Sequence, residues 1–125
     1  MPVRDNFPAV FERMRGILEP HAPPLQIEVD ASDNYSLVAP PQARYPQYPR
    51  GLPFGSVRIG KRYVSYHLMP VYAFPELLDG ASPRLRQRMQ GKSCFNFTRL
   101  DDEIVAALGE VTAAGLERYR REGLL

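Results

Sequence analysis

The sequence has 125 residues, of which 44% are hydrophobic and 24% charged, and its formal net charge is +2. These proportions indicate a folded globular protein, and the length predicts a single domain over residues 1–125. No run of residues approaches the roughly 18 apolar positions that a membrane span needs, and the near balance of charge argues against a dedicated nucleic-acid or anionic-membrane binder.

The first predicted elements are a helix and two strands. Apolar side chains recur every three or four residues over 6–19, which predicts an amphipathic helix that begins at Asn6 and stops at Pro20. Over 25–30 the period changes to two, which predicts a half-buried strand. One face of this strand carries Leu25, Ile27 and Val29, and the other carries Gln26, Glu28 and Asp30. After a short turn, residues 35–38 predict a second strand.

A proline-rich connection follows the second strand. Residues 40–53, PPQARYPQYPRGLP, contain prolines that exclude both a helix and a central strand. We expect an extended segment here, with Tyr45 and Tyr48 laid against the surface. A groove beneath this segment is one candidate for a binding site.

Residues 54–69 carry the clearest local pattern, that of a β-hairpin. Gly60-Lys61 matches the two-residue type II′ turn, in which glycine comes first. Pairing outward from this turn places Val57 opposite Val64. Because side chains alternate, one face carries Val57, Val64, Tyr66 and Leu68, and the other carries Ser56, Arg58, Tyr63, Ser65 and His67. Both strands therefore assign the same face to the core.

Short helical segments are expected next. Residues 75–78 predict a single helical turn. Ser82 as N-cap and Pro83 at the first helical position predict a second helix, with Leu85 and Met89 on one face, that ends at Gly91.

The chain continues with a strand and a long helix. Residues 93–97 alternate and predict a last strand with Phe95 and Phe97 buried. The helix is predicted to start at Asp101 and to run to Gly123. Its apolar stripe consists of Ile104, Leu108, Val111, Gly115 and Tyr119.

This order of elements predicts an α+β domain, with a mostly antiparallel sheet and the N- and C-terminal helices packed on one of its faces. The other face of the sheet is then left partly open. The side chains expected on it are Glu28, Asp30, Ser56, Arg58, Tyr63, Ser65, His67 and Asn96.

Two segments resemble a known family. They are YVSYHLMPVY at 63–72 and SPRLRQRMQGKSCFNF at 82–97, the latter followed by a helix that ends in GLERYRREG. These strings are similar to the YdhG-like domain proteins, small bacterial proteins of largely unknown function. The resemblance implies a compact α+β fold, and it implies a frataxin-like intracellular iron-chaperone role, because some members are described in that way.

The residues themselves offer little for a metal. Iron carriage needs clustered oxygen ligands, and this chain offers only the pairs Glu28/Asp30 and Asp101/Asp102. The two histidines and one cysteine have no spacing typical of a zinc site. We therefore predict no metal site and no cofactor, and iron binding with a Kd no tighter than about tens of micromolar, roughly −6 kcal/mol.

His67 and Cys94 are the residues with the most chemical potential. His67 could accept a proton or hold an anion, or it could simply hydrogen-bond a neighbouring strand. Cys94 could act as a nucleophile with a histidine as base, or it could be a small core thiol. A cluster of basic residues at 84–92 is dispersed by helical geometry, so nucleic acid is not an expected partner.

The location of the protein is predicted from two features. Residues 1–16, MPVRDNFPAVFERMRG, mix charges with apolar residues, unlike a signal peptide. Cys94 has no second cysteine to pair with. We expect a cytoplasmic protein with no membrane partner.

Two functional hypotheses remain. The first is a non-catalytic binding module that uses the open sheet face to hold a small ligand, a metal carrier or a protein partner. The alternative is a small hydrolase or transferase that acts through His67 with Ser65, Tyr63 or Cys94. The first is favoured because no complete set of nucleophile, base and charge stabiliser is evident, and no catalytic residue is assigned. The candidate ligand-binding residues are His67, Arg58, Tyr63, Ser65, Tyr45 and Tyr48.

Overall fold

The computed structural model describes residues 6–125, and residues 1–5 of the predicted domain lie outside the described part. The α-helices are α1 (Phe7–Leu18), α2 (Met69–Ala73), α3 (Pro83–Arg86) and α4 (Asp102–Arg121). The strands are β1 (Gln26–Asp30), β2 (Asn34–Val38), β3 (Pro53–Ile59), β4 (Val64–Leu68), β5 (Met89–Gln90) and β6 (Cys94–Phe97). Short 3₁₀ turns occupy Glu19–His21 and Pro75–Gly80.

The strands form one antiparallel sheet in the order β1-β2-β3-β4-β6-β5. Helix α1 packs across β3 and β4, and α4 contacts α1 and α2. The predicted α+β class, with terminal helices on one sheet face, is therefore confirmed. The hydrophobic core lies between that face and the helices, which is the arrangement that buries the apolar side of each element.

The central strands bury alternate side chains, as a period of two requires. Val57, Val64, Tyr66, Leu68, Phe95 and Phe97 are all 2% exposed or less. The residues between them, among them Ser65, His67 and Asn96, are half-buried on the other face. The predicted core face of the hairpin and of the last strand is confirmed.

The predicted hairpin pairing is wrong by two residues. Val57 lies opposite Tyr66, and Ser56 lies opposite His67. The connection is longer than a two-residue turn, because the strands end at Ile59 and Val64 and the Gly60 amide donates to the Tyr63 carbonyl. Gly60 does not have the positive φ that a type II′ turn needs. A shift of two keeps every side chain on its face, so the alternation alone could not reveal the error.

The alternation predicted for β1 is interrupted. A bulge at Glu28 places Val29 opposite Ser36 and Asp30 opposite Tyr35. Val29 therefore shares the open face with Ser36, whereas Asp30 lies on the helix side, where Arg15 of α1 donates to its carboxylate at 2.8 Å. Ile27 is 53% exposed, because β1 is the edge strand. The predicted strand is present, but it is mostly exposed and not half-buried, and the predicted open-face position of Asp30 is wrong.

The segment after β4 also differs from the prediction. The helix expected from Ser82 to Gly91 ends at Arg86, and Met89 and Gln90 instead pair with β6. The helix α2, which includes Pro70, was not predicted. The expected helical turn at 75–78 is confirmed as part of a 3₁₀ turn.

The proline-rich segment has neither helix nor strand between residues 39 and 52, as predicted. It is a series of three turns rather than an extended chain, because the amides of Tyr45, Tyr48 and Gly51 each donate to the carbonyl three residues earlier. Gly51 has a φ of 111°, and a Cβ built there would lie 1.8 Å from the Ala39 carbonyl oxygen. Only glycine fits this position.

Helix α4 starts where the sequence predicts. The Asp101 side chain accepts a hydrogen bond from the Ile104 amide at 2.9 Å, which caps the helix. Farther along, Tyr119 donates to the Pro53 carbonyl at 2.6 Å and packs edge-on against Phe54. The helix is thus tied to β3 by a buried aromatic pair and a hydrogen bond.

No helix in residues 6–125 is both long and apolar enough to cross a membrane.

A buried hydrogen-bond relay links β4 to α4. Thr112 donates its single hydroxyl proton to the Leu108 carbonyl at 2.7 Å, so Tyr66 must be the donor in its 2.6 Å contact with the Thr112 oxygen. Both side chains are fully buried.

Thr112→Val is expected to lower the free energy of unfolding by about 1–3 kcal/mol, because it leaves the Tyr66 hydroxyl buried without an acceptor. Tyr66→Phe keeps the Thr112 bond to Leu108 and should cost only about 0.5–1.5 kcal/mol. In a Tyr66→Phe protein, Thr112→Val should then lower the free energy of unfolding by less than it does in the wild type. Urea unfolding of the wild type, the two single variants and the double variant measures this, and additive losses would contradict the relay.

Candidate functional site

The open face, defined as the sheet surface opposite α1 and α4, carries a cross-strand row of polar side chains. Ser36, Ser56, His67, Cys94 and Gln90 lie directly opposite one another on β2, β3, β4, β6 and β5. Directly opposite residues in antiparallel strands have Cβ atoms about 4.5–5.5 Å apart. The row therefore places five polar side chains side by side, with His67 in the middle.

A second polar row runs alongside the first. It consists of Asn34, Arg58, Ser65 and Asn96, which are again cross-strand partners. Ser65 donates to the Asn96 side-chain oxygen at 2.7 Å, and the Asn96 amide donates to Gln90 at 3.0 Å. This chain of hydrogen bonds fixes the orientation of Asn96 beside His67 and Cys94.

His67 has the environment of a neutral imidazole. Burial lowers its pKa below the ordinary value of 6.5. Within residues 6–125, none of the side-chain hydrogen bonds involves this imidazole. The structural role considered for His67, a hydrogen bond to a neighbouring strand or loop, is therefore not found in the described part. A neutral imidazole can both donate and accept a hydrogen bond, so it suits a polar ligand.

Cys94 lies on the open face and not in the core. It is a half-buried free thiol directly opposite His67. Its neighbours Phe95 and Ser93 point to the other side, which is why the core-thiol interpretation is wrong.

The six candidate residues predicted from the sequence fall into separate groups. His67, Ser65 and Arg58 lie together on the open face, whereas Tyr63 lies in the hairpin connection and is 37% exposed. Tyr45 packs against the hydrophobic core. The structure does not bring Tyr45 and Tyr48 to His67.

The proline-rich segment is held on the helix side by the chain end. The Gln42 amide donates to the Leu124 carbonyl at 2.9 Å, and Arg44 donates to the carbonyl of Gly123. A groove of about 330 Å³ does lie beneath this segment, but it is lined from β1, Val38, Pro41 and Arg50 and not by the two tyrosines. The segment is therefore anchored at the end of α4 by Gln42 and Arg44, and Tyr45 packs against the core.

Three of the four carboxylates considered for iron are bonded to arginines. Asp30 accepts from Arg15, whereas Glu28, the bulged residue itself, accepts from Ser36 at 3.4 Å. Arg84 bonds Asp101 at 2.6 Å and holds the pKa of that carboxyl below its usual range. Arg13 bonds Asp102. The described residues contain no group of three or more His, Cys, Asp or Glu side chains placed to hold a metal ion.

The sequence matches no protein-family model, no curated protein and no solved structure. The resemblance to the YdhG-like proteins therefore stays a prediction.

Sequence reasoning missed part of the open face. Asn34, Ser36 and Gln90 belong to the two polar rows, and Cys94 belongs to the first of them. The signal for Cys94 was present, because a residue between Ser93 and Phe95 must face away from Phe95 in a strand. Gln90 could not be found, because its strand was predicted as a helix.

The lowered pKa of His67 makes stability depend on pH. The unfolded chain protonates its imidazole near pH 6.5, whereas the folded chain does so only at lower pH, so the unfolded state binds more protons in between. The free energy of unfolding should therefore fall as the pH drops below 6.5. His21 acts in the same direction, since burial and then Arg120 lower its pKa as well.

As the pH is lowered from about 7.5 to about 5, we expect the free energy of unfolding of His67→Gln to fall by less than that of the wild type. His21→Gln is the matched comparison. Urea unfolding across this range measures the effect. An NMR titration in which His67 protonates at or above 6.5 would contradict the assigned environment.

Proposed function

We propose that this protein is a non-catalytic binding module whose open face holds a small polar ligand. The observation that supports it is the cross-strand row centred on His67, a neutral imidazole with no side-chain partner in residues 6–125, flanked by Ser56 and Cys94. Such side chains offer several donors and acceptors in one plane at strand spacing. A flat, hydrogen-bonding ligand such as a nucleoside or a sugar fits this arrangement.

A catalytic role has weaker support. The Ser65 hydroxyl proton is donated to Asn96 and is not shared with His67. Arg58, the charged residue of the second row, lies opposite Ser65 and not opposite His67. A nucleophile, a base and a charge stabiliser are therefore not aligned on one reacting position.

A hydrolase or transferase remains the second candidate function, because Cys94 and His67 are direct cross-strand neighbours. This proximity is what a thiol nucleophile and its base require.

The proposal is tested by titrating ¹⁵N-labelled protein with adenosine, glucose and glycylglycine. We expect the shift changes to cluster at Ser36, Ser56, His67 and Cys94. His67→Ala should weaken binding about tenfold, which corresponds to the loss of a hydrogen bond of about 1.4 kcal/mol. His21→Ala is the matched control, since His21 lies in the turn after α1, and it should leave binding unchanged.

Shift changes that avoid the open face, or equal losses in the two histidine variants, would contradict the binding proposal. The same variants address the second candidate. Turnover of nitrophenyl esters or thioesters that disappears in both His67→Ala and Cys94→Ser would establish an enzyme instead.

An iron-carrier role, which the YdhG-like resemblance implies, has less support from the contacts described above. Because the carboxylates of Asp30, Asp101 and Asp102 each bond an arginine, iron must compete with an ion pair at each of them.

Anaerobic titration with ferrous iron should therefore give a Kd no tighter than about tens of micromolar. Glu28→Gln should change it little. Stoichiometric binding near about one micromolar that is lost in Glu28→Gln would contradict this prediction.

A further inference from the structure

A second concave surface lies away from the open face, between α3, the end of β6 and the start of α4. It is a cleft of about 580 Å³, a volume in the range of small-molecule sites. Three arginines, Arg84, Arg88 and Arg99, line it together with Asp101. Its apolar lining is formed by Phe97, Leu100 and Ile104.

The arginines are not equivalent. Arg84 is held by two acidic side chains, Asp101 at 2.6 Å and Glu103 at 2.7 Å. Asp101 is itself satisfied, because it also accepts the Ile104 amide. Arg88 and Arg99 are exposed and form no ion pair with any acidic residue in the described chain. The cleft therefore presents two guanidinium groups whose charge is not neutralised.

The apolar part of the cleft is small. Phe97 and Ile104 belong to the hydrophobic core and are only 2% and 5% exposed, so they form its floor, and the half-buried Leu100, which packs against the same core, provides most of the apolar surface open to a ligand. An apolar surface fixed in this way beside two free guanidinium groups suits a ligand with an oxyanion at one end and an apolar body at the other.

We propose that this cleft binds a small organic oxyanion, a phosphate monoester or a carboxylate with an aromatic body, through Arg88 and Arg99. Guanidinium groups bind both kinds of oxyanion in the same planar, two-point geometry. The inference does not rest on the proposed function of the open face, because Phe97 lies on the helix side of the sheet and His67 on the other.

A nucleic acid is the competing occupant. The small concave volume and the net charge of +2 favour a small molecule over a polyanion.

The test is calorimetric titration of the full chain with phenyl phosphate, phenylacetate and inorganic phosphate. We expect phenyl phosphate or phenylacetate to bind, and to bind tighter than inorganic phosphate because of the apolar lining. Whichever aromatic ligand binds tighter identifies the anionic group. Arg88→Gln and Arg99→Gln should each weaken binding about tenfold or more.

Arg86→Gln is the matched control, because Arg86 is an exposed arginine two positions before Arg88 that does not line the cleft. It should leave affinity unchanged, and amide NMR spectra should show that all three variants are folded. Equal losses in Arg86→Gln, tighter binding of inorganic phosphate than of both aromatic ligands, or no binding at millimolar ligand would overturn the proposal. Tighter binding of a single-stranded oligonucleotide than of phenyl phosphate would overturn it as well.

Discussion

Burial of one face of β3, β4 and β6 against α1 and α4 is the constraint on which the rest of the structure depends. Val57, Tyr66 and Phe95 lie opposite one another and are fully buried. Since neighbouring side chains in a strand point to opposite faces, the residue next to each of them is forced outward. The core thus places Ser56, His67 and Cys94 in one row, although it does not require those residues to be polar.

The alternation of the central strands could be predicted from the sequence, but the way in which the strands pair could not. Two-residue periodicity identifies faces and is unchanged when a strand slides by two positions. The position of Gly60 favoured a tight turn, and nothing local indicated that Tyr63 belongs to the connection. In β1 the alternation gave a wrong prediction, because a bulge at Glu28 puts the apolar residues Ile27 and Val29 on opposite faces.

For the candidate site, the sequence predicted the residues that depend on strand alternation and missed those that depend on tertiary contacts. His67, Ser65 and Arg58 follow from the hairpin pattern, whereas Gln90 and the cleft depend on tertiary contacts. The local sequence predicts Met89 and Gln90 to be the end of a helix. Pairing with β6 provides their backbone hydrogen bonds instead and overrides this local preference. Tyr45 and Tyr48 were predicted to bind a ligand. Their segment is instead anchored at the end of α4, and the sequence does not reveal this tertiary contact.

The connection between β3 and β4 also limits how this part of the chain can diverge. If an insertion or deletion there is absorbed by sliding β4 along β3, a change of two residues preserves both the buried and the open face. A change of one would move His67 into the core and Tyr66 to the surface. Natural variants that shift this register should therefore differ in length by even numbers, and an odd change should be confined to the connection itself.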